Sequence, residues 1–249
     1  MLVKLSLSKR HVHFNGKIMP MNLLALDTST EFLTLALQAN GRSYTHYQHA
    51  GQAASQLILP QIQGLLESAK IKLADLDGIA FGAGPGAFTG VRIACGVAQG
   101  LGFGANVPVV GVNTLHAIAQ ASGAKKVIIC TDARMGEVYF AALEKVGGAW
   151  LELSVTQACR PEAAPKLEVA NWAGVGSGWT AYDKVLSEQY KNNISEKLPN
   201  IMPTAEAILQ LAMPIFAAGH AKPASEARPI YIRNRVALTT NERAKGMRL

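Results

Sequence analysis

The chain has 249 residues, 49% of them apolar, which is enough for one large or two small cores and excludes a disordered chain. Its three cysteines, Cys95, Cys130 and Cys159, sit in apolar settings without metal-ligand spacing; the odd count excludes a disulfide framework and points to a reducing, cytoplasmic setting. The net charge of +7 suggests a nucleic-acid partner at first sight, but its distribution along the chain does not support that reading.

Residues 1–20 carry Lys4, Lys9, Arg10 and Lys17 with no acid, and they do not fit the rhythm that starts at Met21. They lack the apolar core and small-residue cleavage site of a signal peptide. They read as an extension outside the folded pattern. Residues 222–249 carry seven basic against two acidic side chains, whereas 21–221 carry thirteen against fifteen. The body is close to neutral and the basicity lies in solvated ends. The longest charge-poor region, 78–124, holds Arg92 and is broken by Gly and Pro, so it offers no run of about 20 apolar residues to span a membrane.

From Met21 the pattern predicts three strands, over 22–26, 32–37 and 43–48, with Asn40-Gly41 as the hairpin turn between the last two. The first ends in Asp27-Thr28-Ser29-Thr30. A helix follows over 55–69, where Ile58, Ile62, Leu65 and Ala69 recur on one face. Pro60 inside it predicts a kink or a late start. Leu57 and Leu59 widen the apolar face beyond one stripe, which predicts burial on two sides. A buried strand over 77–81 leads into Gly82-Ala83-Gly84-Pro85-Gly86, a loop that either presents backbone N–H groups to an anion or lets strand and helix pack closely. It is not a Walker loop. The next helix, over 89–105 and opened by Thr89 or Phe88 with Thr89 as a candidate N-cap, has Gly96, Gly100 and Gly104 four apart. Each glycine costs about 1 kcal/mol against alanine, so close approach of another helix is expected there. A strand over 107–112 and a short helix over 114–121 complete the half.

The pattern then restarts. Strands are predicted over 126–131, 137–143 and 150–156, and the first ends in Asp132-Ala133-Arg134-Met135-Gly136. Asp27 and Asp132 are therefore equivalent. A strand over 169–175 ends in the glycine-rich turn Gly174-Val175-Gly176-Ser177-Gly178, helices follow over 180–189 and 204–218, and an extended segment covers 229–233. Two β-β-β-α-β-α halves, each with an Asp at the tip of its first strand, predict an α/β fold of the duplicated actin-like and Hsp70 ATPase type (ribonuclease H-like). Lobe one would span 21–123, joined by the helix near 204–219. Lobe two would span 124–235, and 236–249 would form a basic tail. In that superfamily the two hairpins grip phosphates and a lobe-two glycine turn packs on adenosine. The corresponding candidates here are Asp27, Thr28, Ser29, Asp132 and Gly176. Their competing role is turn capping, and Arg134 beside Asp132 offers it an ion pair.

Four segments, Leu24-Ala25-Leu26-Asp27-Thr28-Ser29-Thr30, Gly82-Ala83-Gly84-Pro85-Gly86-Ala87-Phe88-Thr89-Gly90-Val91-Arg92, Asp132-Ala133-Arg134-Met135-Gly136-Glu137-Val138-Tyr139 and Tyr231-Ile232-Arg233-Asn234, together resemble the TsaB (YeaZ) family over 21 to about 235. The resemblance implies a non-catalytic subunit in the formation of N6-threonylcarbamoyladenosine at position 37 of tRNA. It implies a heterodimer with TsaD, an ATP-dependent complex with TsaE, a homodimer when alone, and only indirect contact with tRNA. ATP or ADP and a metal would belong to the assembled complex, with no cofactor in this chain. The implied partner surface is formed by the first two helices, with Ile58, Ile62, Leu65, Ala69, Arg92, Gly96, Gly100 and Gly104. In TsaD a histidine pair four apart holds the metal; here that place offers His116 alone, and His11, His13, His46, His49 and His220 include no such pair. The expectation is no metal site and no peptidase triad. The alternative function is a stand-alone ATP-dependent phosphotransferase of the sugar- or acyl-kinase type.

Overall fold

The computed structural model describes residues 21–168 and 170–233. The expected 1–20 extension, the 236–249 tail and Asn234 of the last motif lie outside them. Two five-stranded sheets form the frame. In the first, β1 (Leu23–Asp27), β2 (Phe32–Ala39), β3 (Arg42–His49), β4 (Gly78–Gly84) and β5 (Val109–Asn113) lie in the order β3-β2-β1-β4-β5. In the second, β6 (Lys126–Arg134), β7 (Glu137–Val146), β8 (Ala149–Cys159), β9 (Trp172–Val175) and β10 (Ile194–Leu198) lie in the order β10-β9-β6-β7-β8. In each sheet the first three strands are antiparallel and the last two run parallel to the first. The same order twice over is the actin-like duplicated two-lobe fold.

Local chemistry sets the elements. Asn40 and Gly41, both at positive φ, close the β2–β3 hairpin. The helix α1 (Ala54–Ala69) starts well before Pro60 and carries it on its exposed side, so the late start is not used. The helix α2 (Phe88–Ala105) opens at Phe88, and its N-cap is Ala87 without a side-chain bond; Thr89, expected as the cap, is an exposed first-turn residue. The helix α3 (Thr114–Ser122) is capped by Asn113, whose side chain accepts from the Leu115 N–H. One face of α3 packs Leu115, Ile118 and Ala119 among Val127, Ile129 and Leu143 of lobe two, so this helix joins the lobes.

The second half departs from the expected β-β-β-α-β-α order. Among the described residues between β8 and β9, the one regular element is a 3-10 turn, Pro161–Ala163, where lobe one has α1. After β9 the predicted single helix is two, α4 (Gly178–Ala181) and α5 (Asp183–Gln189), and β10 follows as a strand absent from the sequence prediction. Its alternation is interrupted by Ser195-Glu196-Lys197 on a half-exposed edge. The helix α6 (Ala205–Ala217) returns to lobe one. Its first N–H bonds to the Thr34 hydroxyl at 3.0 Å, Thr204 caps Ala207, and Phe216 lies over Gly78, where a Cβ would come within 2.2 Å of the ring. Ile208, Leu209 and Ala212 fill the core against Leu23, Ala25 and Val110.

Candidate functional site

The tips of β1 and β4 and the start of α2 form one interlocked unit. Asp27 is fully buried. Its Oδ1 accepts from the Ser29 N–H at 3.0 Å and the Ser29 hydroxyl at 2.9 Å, while its Oδ2 has no hydrogen-bond partner. Burial without a cation pushes its pKa up to about 6. The backbone of Gly82 passes against Oδ2, and a Cβ there would lie 1.8 Å away. Thr28 donates to the Gly90 carbonyl at 2.7 Å, and a Cβ on Gly90 would lie 1.8 Å from the Thr28 carbonyl. Ser29 accepts from the Ala87 N–H at 2.8 Å and sits 2.6 Å from where a Gly86 Cβ would be.

Asp27, Thr28 and Ser29, read from the sequence as possible phosphate contacts, are all buried here, and the chain's own 28–29 backbone lies against the start of α2. The glycines serve close packing. Thr114 adds a further brace by donating to the Pro85 carbonyl.

Asp132 takes the capping role. Its Oδ1 accepts from the Arg134 N–H at 2.8 Å and from the Tyr182 hydroxyl at 3.3 Å, and its Oδ2 pairs with the Arg134 guanidinium at 3.3 Å. Gly176, at φ +98°, is buried with its Cα against the Cys130 carbonyl. The turn expected to face adenosine instead receives the chain's own Trp179, packed over Gly174 with its indole N–H on the Ile128 carbonyl at 3.1 Å.

The last described segment ties the lobes together. Ile230 donates its N–H to the Ala83 carbonyl at 2.7 Å in lobe one. Tyr231 receives Arg92 Nε at 2.8 Å, and the Arg92 guanidinium lies 3.3 Å above the Phe88 ring centroid. Arg233 then pairs with Glu137 of lobe two and reaches the Arg134 carbonyl. The two side-chain pairs, Arg233–Glu137 and Arg92–Tyr231, lie 96 and 139 residues apart in sequence, and nothing in local patterning pairs them.

The helix pair presents the other half of the site. Ile58, Ile62 and Ala69 are buried, and Leu65 is half-buried on the same core, packed with Leu33, Leu35, Ala94 and Ala98. They cover the lobe's own sheet, which corrects their assignment to a partner surface: a helix over β2 and β3 needs that stripe for itself. The outward face carries Leu59, Gln63 and Gly64 on α1, and Arg92, Gly96, Gly100, Phe103 and Gly104 on α2. A Cβ at Gly64, Gly96, Gly100 or Gly104 would meet nothing within 4 Å. By contrast, Gly102 is used internally, 2.9 Å from Ala224 for such a Cβ. Leu59 and Phe103 stand 51% and 62% exposed beside the glycines. Phe103 was not singled out from sequence, though its position three residues after Gly100 puts it on that face.

His116 Nε2 lies 3.4 Å from the Glu152 carboxylate at the lobe junction, its Nδ1 is buried without a partner, and burial holds its pKa down. Among the described residues no group of three His, Cys, Asp or Glu is placed to hold a metal, and no helix is long and apolar enough to cross a membrane.

The comparisons agree on one family. The family model described as TsaD, tRNA N6-adenosine threonylcarbamoyltransferase, matches residues 45–239. The tRNA threonylcarbamoyladenosine biosynthesis protein TsaB of Escherichia coli (strain K12) is 36% identical over 225 residues, covering 87% of this chain and 96% of that protein. The TsaB of Haemophilus influenzae is 40% identical over 230 residues, covering 87% and 95%. The crystal structure of YeaZ from Pseudomonas aeruginosa superposes with a TM-score of 0.78 at 38% identity, over 85% of this chain and 99% of that one. Identity of 36–40% over 87% of this chain, with the matching solved structure and family model, leads to one conclusion: this chain belongs to the TsaB (YeaZ) family, within the wider set of TsaD-like chains.

Proposed function

We propose that the chain is a non-catalytic scaffold subunit in the formation of N6-threonylcarbamoyladenosine at position 37 of tRNA, binding TsaD through the outward face of α1 and α2 and acting with TsaE. The observation that carries this reading is the open stripe Gly96, Gly100 and Gly104. Three glycines in one helix cost about 3 kcal/mol together against alanine, and no contact among the described residues offsets that cost. A partner helix seated on the stripe would. Arg92, exposed at the end of the same face and held by Phe88 and Tyr231, supplies a fixed cation at the rim.

The cleft supports the non-catalytic part. Phosphoryl-transfer enzymes of this fold need carboxylates free to hold Mg²⁺ and orient water. Asp27 is buried against Gly82, and Asp132 is engaged by Arg134 and Tyr182. ATP and a metal are assigned to the assembled complex.

The test is co-purification with TsaD of the unsubstituted chain and of Gly100→Leu, followed by assay of tRNA modification with TsaE and ATP. Gly100→Leu should keep or slightly raise its melting temperature and lose both TsaD capture and modification. Retained capture would overturn the surface assignment. Titration of the lone chain with ATP and Mg²⁺ should give no micromolar binding; such binding, lost in Asp27→Ala, would favour the phosphotransferase reading.

A further inference from the structure

We propose that Arg92 is an oxyanion fork that takes a carboxylate from the helix seated on α2, and that Tyr231, 139 residues further along the chain, is the residue that positions it. The inference rests on the reading of α2 as the TsaD-binding face and adds the chemistry by which that face selects its partner.

Phe88, Arg92, Gly96, Gly100 and Gly104 are spaced four apart and all are exposed, so they form one row along α2. The glycines leave a groove, and Arg92 is the first side chain beyond it, one turn or about 6 Å from Gly96. Its guanidinium carbon lies 3.3 Å from the centroid of the Phe88 ring and 5.5 Å from that of Tyr231, and its Nε donates to the Tyr231 hydroxyl at 2.8 Å. Nη1 and Nη2 have no hydrogen-bond partner among the described residues, and no carboxylate there pairs with the group. The edge left open is therefore the end-on one, whose two N–H prongs match the two oxygens of a carboxylate.

Holding an arginine in one rotamer costs conformational entropy. Here the arrangement also keeps two aromatic rings at the surface, Phe88 at 44% and Tyr231 at 52% exposed. Tyr231 is itself tethered on both sides. Ile230 donates its N–H to the Ala83 carbonyl at 2.7 Å in lobe one, and Arg233 pairs with Glu137 of lobe two. The guanidinium is thus held by a segment fastened to both lobes, and no acid among the described residues uses what is held.

The occupant follows from charge. A helix laid along the glycine row covers Arg92 at its end. Covering a cation without a counter-ion is costly, because the charge loses water and gains no partner. A loose surface lysine would swing its head back into solvent, whereas Arg92 is pinned by Phe88 and Tyr231. A partner with a carboxylate at that point offsets the loss through two charge-assisted hydrogen bonds, and one with an apolar or basic residue there is rejected. Continuity of the row places that acid on the same partner helix, about one turn beyond the residues that touch Gly96.

The test measures the affinity of TsaD for the full chain by surface plasmon resonance, at low and high salt, without nucleotide and then with ATP. Arg92→Ala should weaken binding about 30-fold or more and flatten its salt dependence, with far-ultraviolet circular dichroism unchanged. Arg92→Lys keeps the charge and loses the fork, and should stay about tenfold weaker than the parent. Tyr231→Phe keeps the ring and loses the hydroxyl, and should weaken binding about fivefold through a faster off-rate. It should have no further effect in the Arg92→Ala background, because Tyr231 acts through Arg92. Arg92→Glu should abolish binding and be rescued by a single Asp→Arg or Glu→Arg substitution on the TsaD helix that meets α2. Parent affinity in Arg92→Ala or Arg92→Lys, or the lack of any rescuing substitution, would overturn the proposal. So would a dependence on Arg92 that appears only with ATP, which would assign the fork to a nucleotide phosphate. If Gly100→Leu loses capture and Arg92→Ala keeps it, this inference fails alone; if Gly100→Leu keeps capture, the reading beneath it fails.

Discussion

Lobe one and lobe two have the same strand order and different cover. In lobe one, α1 and α2 lie over the sheet and α6 seals the other face, so its strands β1 and β4 are buried along their whole length. In lobe two the position of α1 is taken by one 3-10 turn, and the edge strand, bulged twice in its pairing with β7, leaves Leu151, Leu153 and Val155 exposed. The glycines differ in the same way. Gly90 is forced by the Thr28 carbonyl and Gly82 by the Asp27 carboxylate, each 1.8 Å from a Cβ, Gly176 and Gly178 of the lobe-two turn by a looser 2.8 Å contact with the Cys130 carbonyl, and those along the outside of α2 by nothing among the described residues. Duplication fixes the sheet, since strand pairing depends on backbone. The covering elements can then diverge, because each only has to bury a stripe against one face.

The comparison breaks most sharply at Gly90. Gly90→Ala puts a Cβ 1.8 Å from the Thr28 carbonyl, and backbone cannot rotate away, so a loss of about 4 kcal/mol or more is expected in urea melts. Gly178→Ala in lobe two, at 2.8 Å from the Cys130 carbonyl, should cost less, about 1–3 kcal/mol. Equal costs would mean that the two loops are packed alike.

The next effect is at the paired aspartates. Asp27 has a folded pKa of about 6, above its ordinary 3.8. The folded state therefore holds the proton more tightly, and the stability this supplies is full below about pH 4 and is lost as pH rises through 6. Asp27→Asn should remove that decline, worth about 3 kcal/mol between pH 4 and 7. A parent chain with flat stability from pH 4 to 7 would show that Asp27 is not buried as an acid.

Smaller, and opposite in sign, are two glycines of one helix. Gly100→Ala should stabilise by about 1 kcal/mol, since the added methyl meets open space and glycine is a poor helix former. Gly102→Ala should destabilise by about 1–3 kcal/mol against Ala224 and Val109. The smallest effect is expected at Arg233→Ala, which removes the contact with Glu137 across the lobes and should cost about 1 kcal/mol in thermal melts.

Much of this was legible in the sequence. Alternation and the Asn40-Gly41 turn gave the hairpins, the restart at Lys126 gave the duplication, and the three outward glycines of α2 showed as a period of four. Their orientation did not show: Ile58, Ile62 and Ala69 read equally well as a surface or a core stripe, because periodicity defines a face without saying what it faces. Element by element, the residues before β9 offered no helical pattern, only a Pro-bounded piece from Pro161 to Pro165, and it was the grouping into two equal halves that implied a helix there.

The glycine loop and the two aspartates mark the boundary between the two kinds of information. By itself the sequence determined that Gly82 to Gly86 must turn sharply, and that Asp27 and Asp132 end equivalent strands, since those are properties of local backbone and spacing. Only the tertiary structure decided that Ser29 and Thr28 fill the hollow at the head of α2, that Asp27 is buried while Asp132 meets Arg134 and Tyr182, and that Arg233 reaches Glu137. Those outcomes depend on which distant segments share a space, and a one-dimensional pattern carries no record of that.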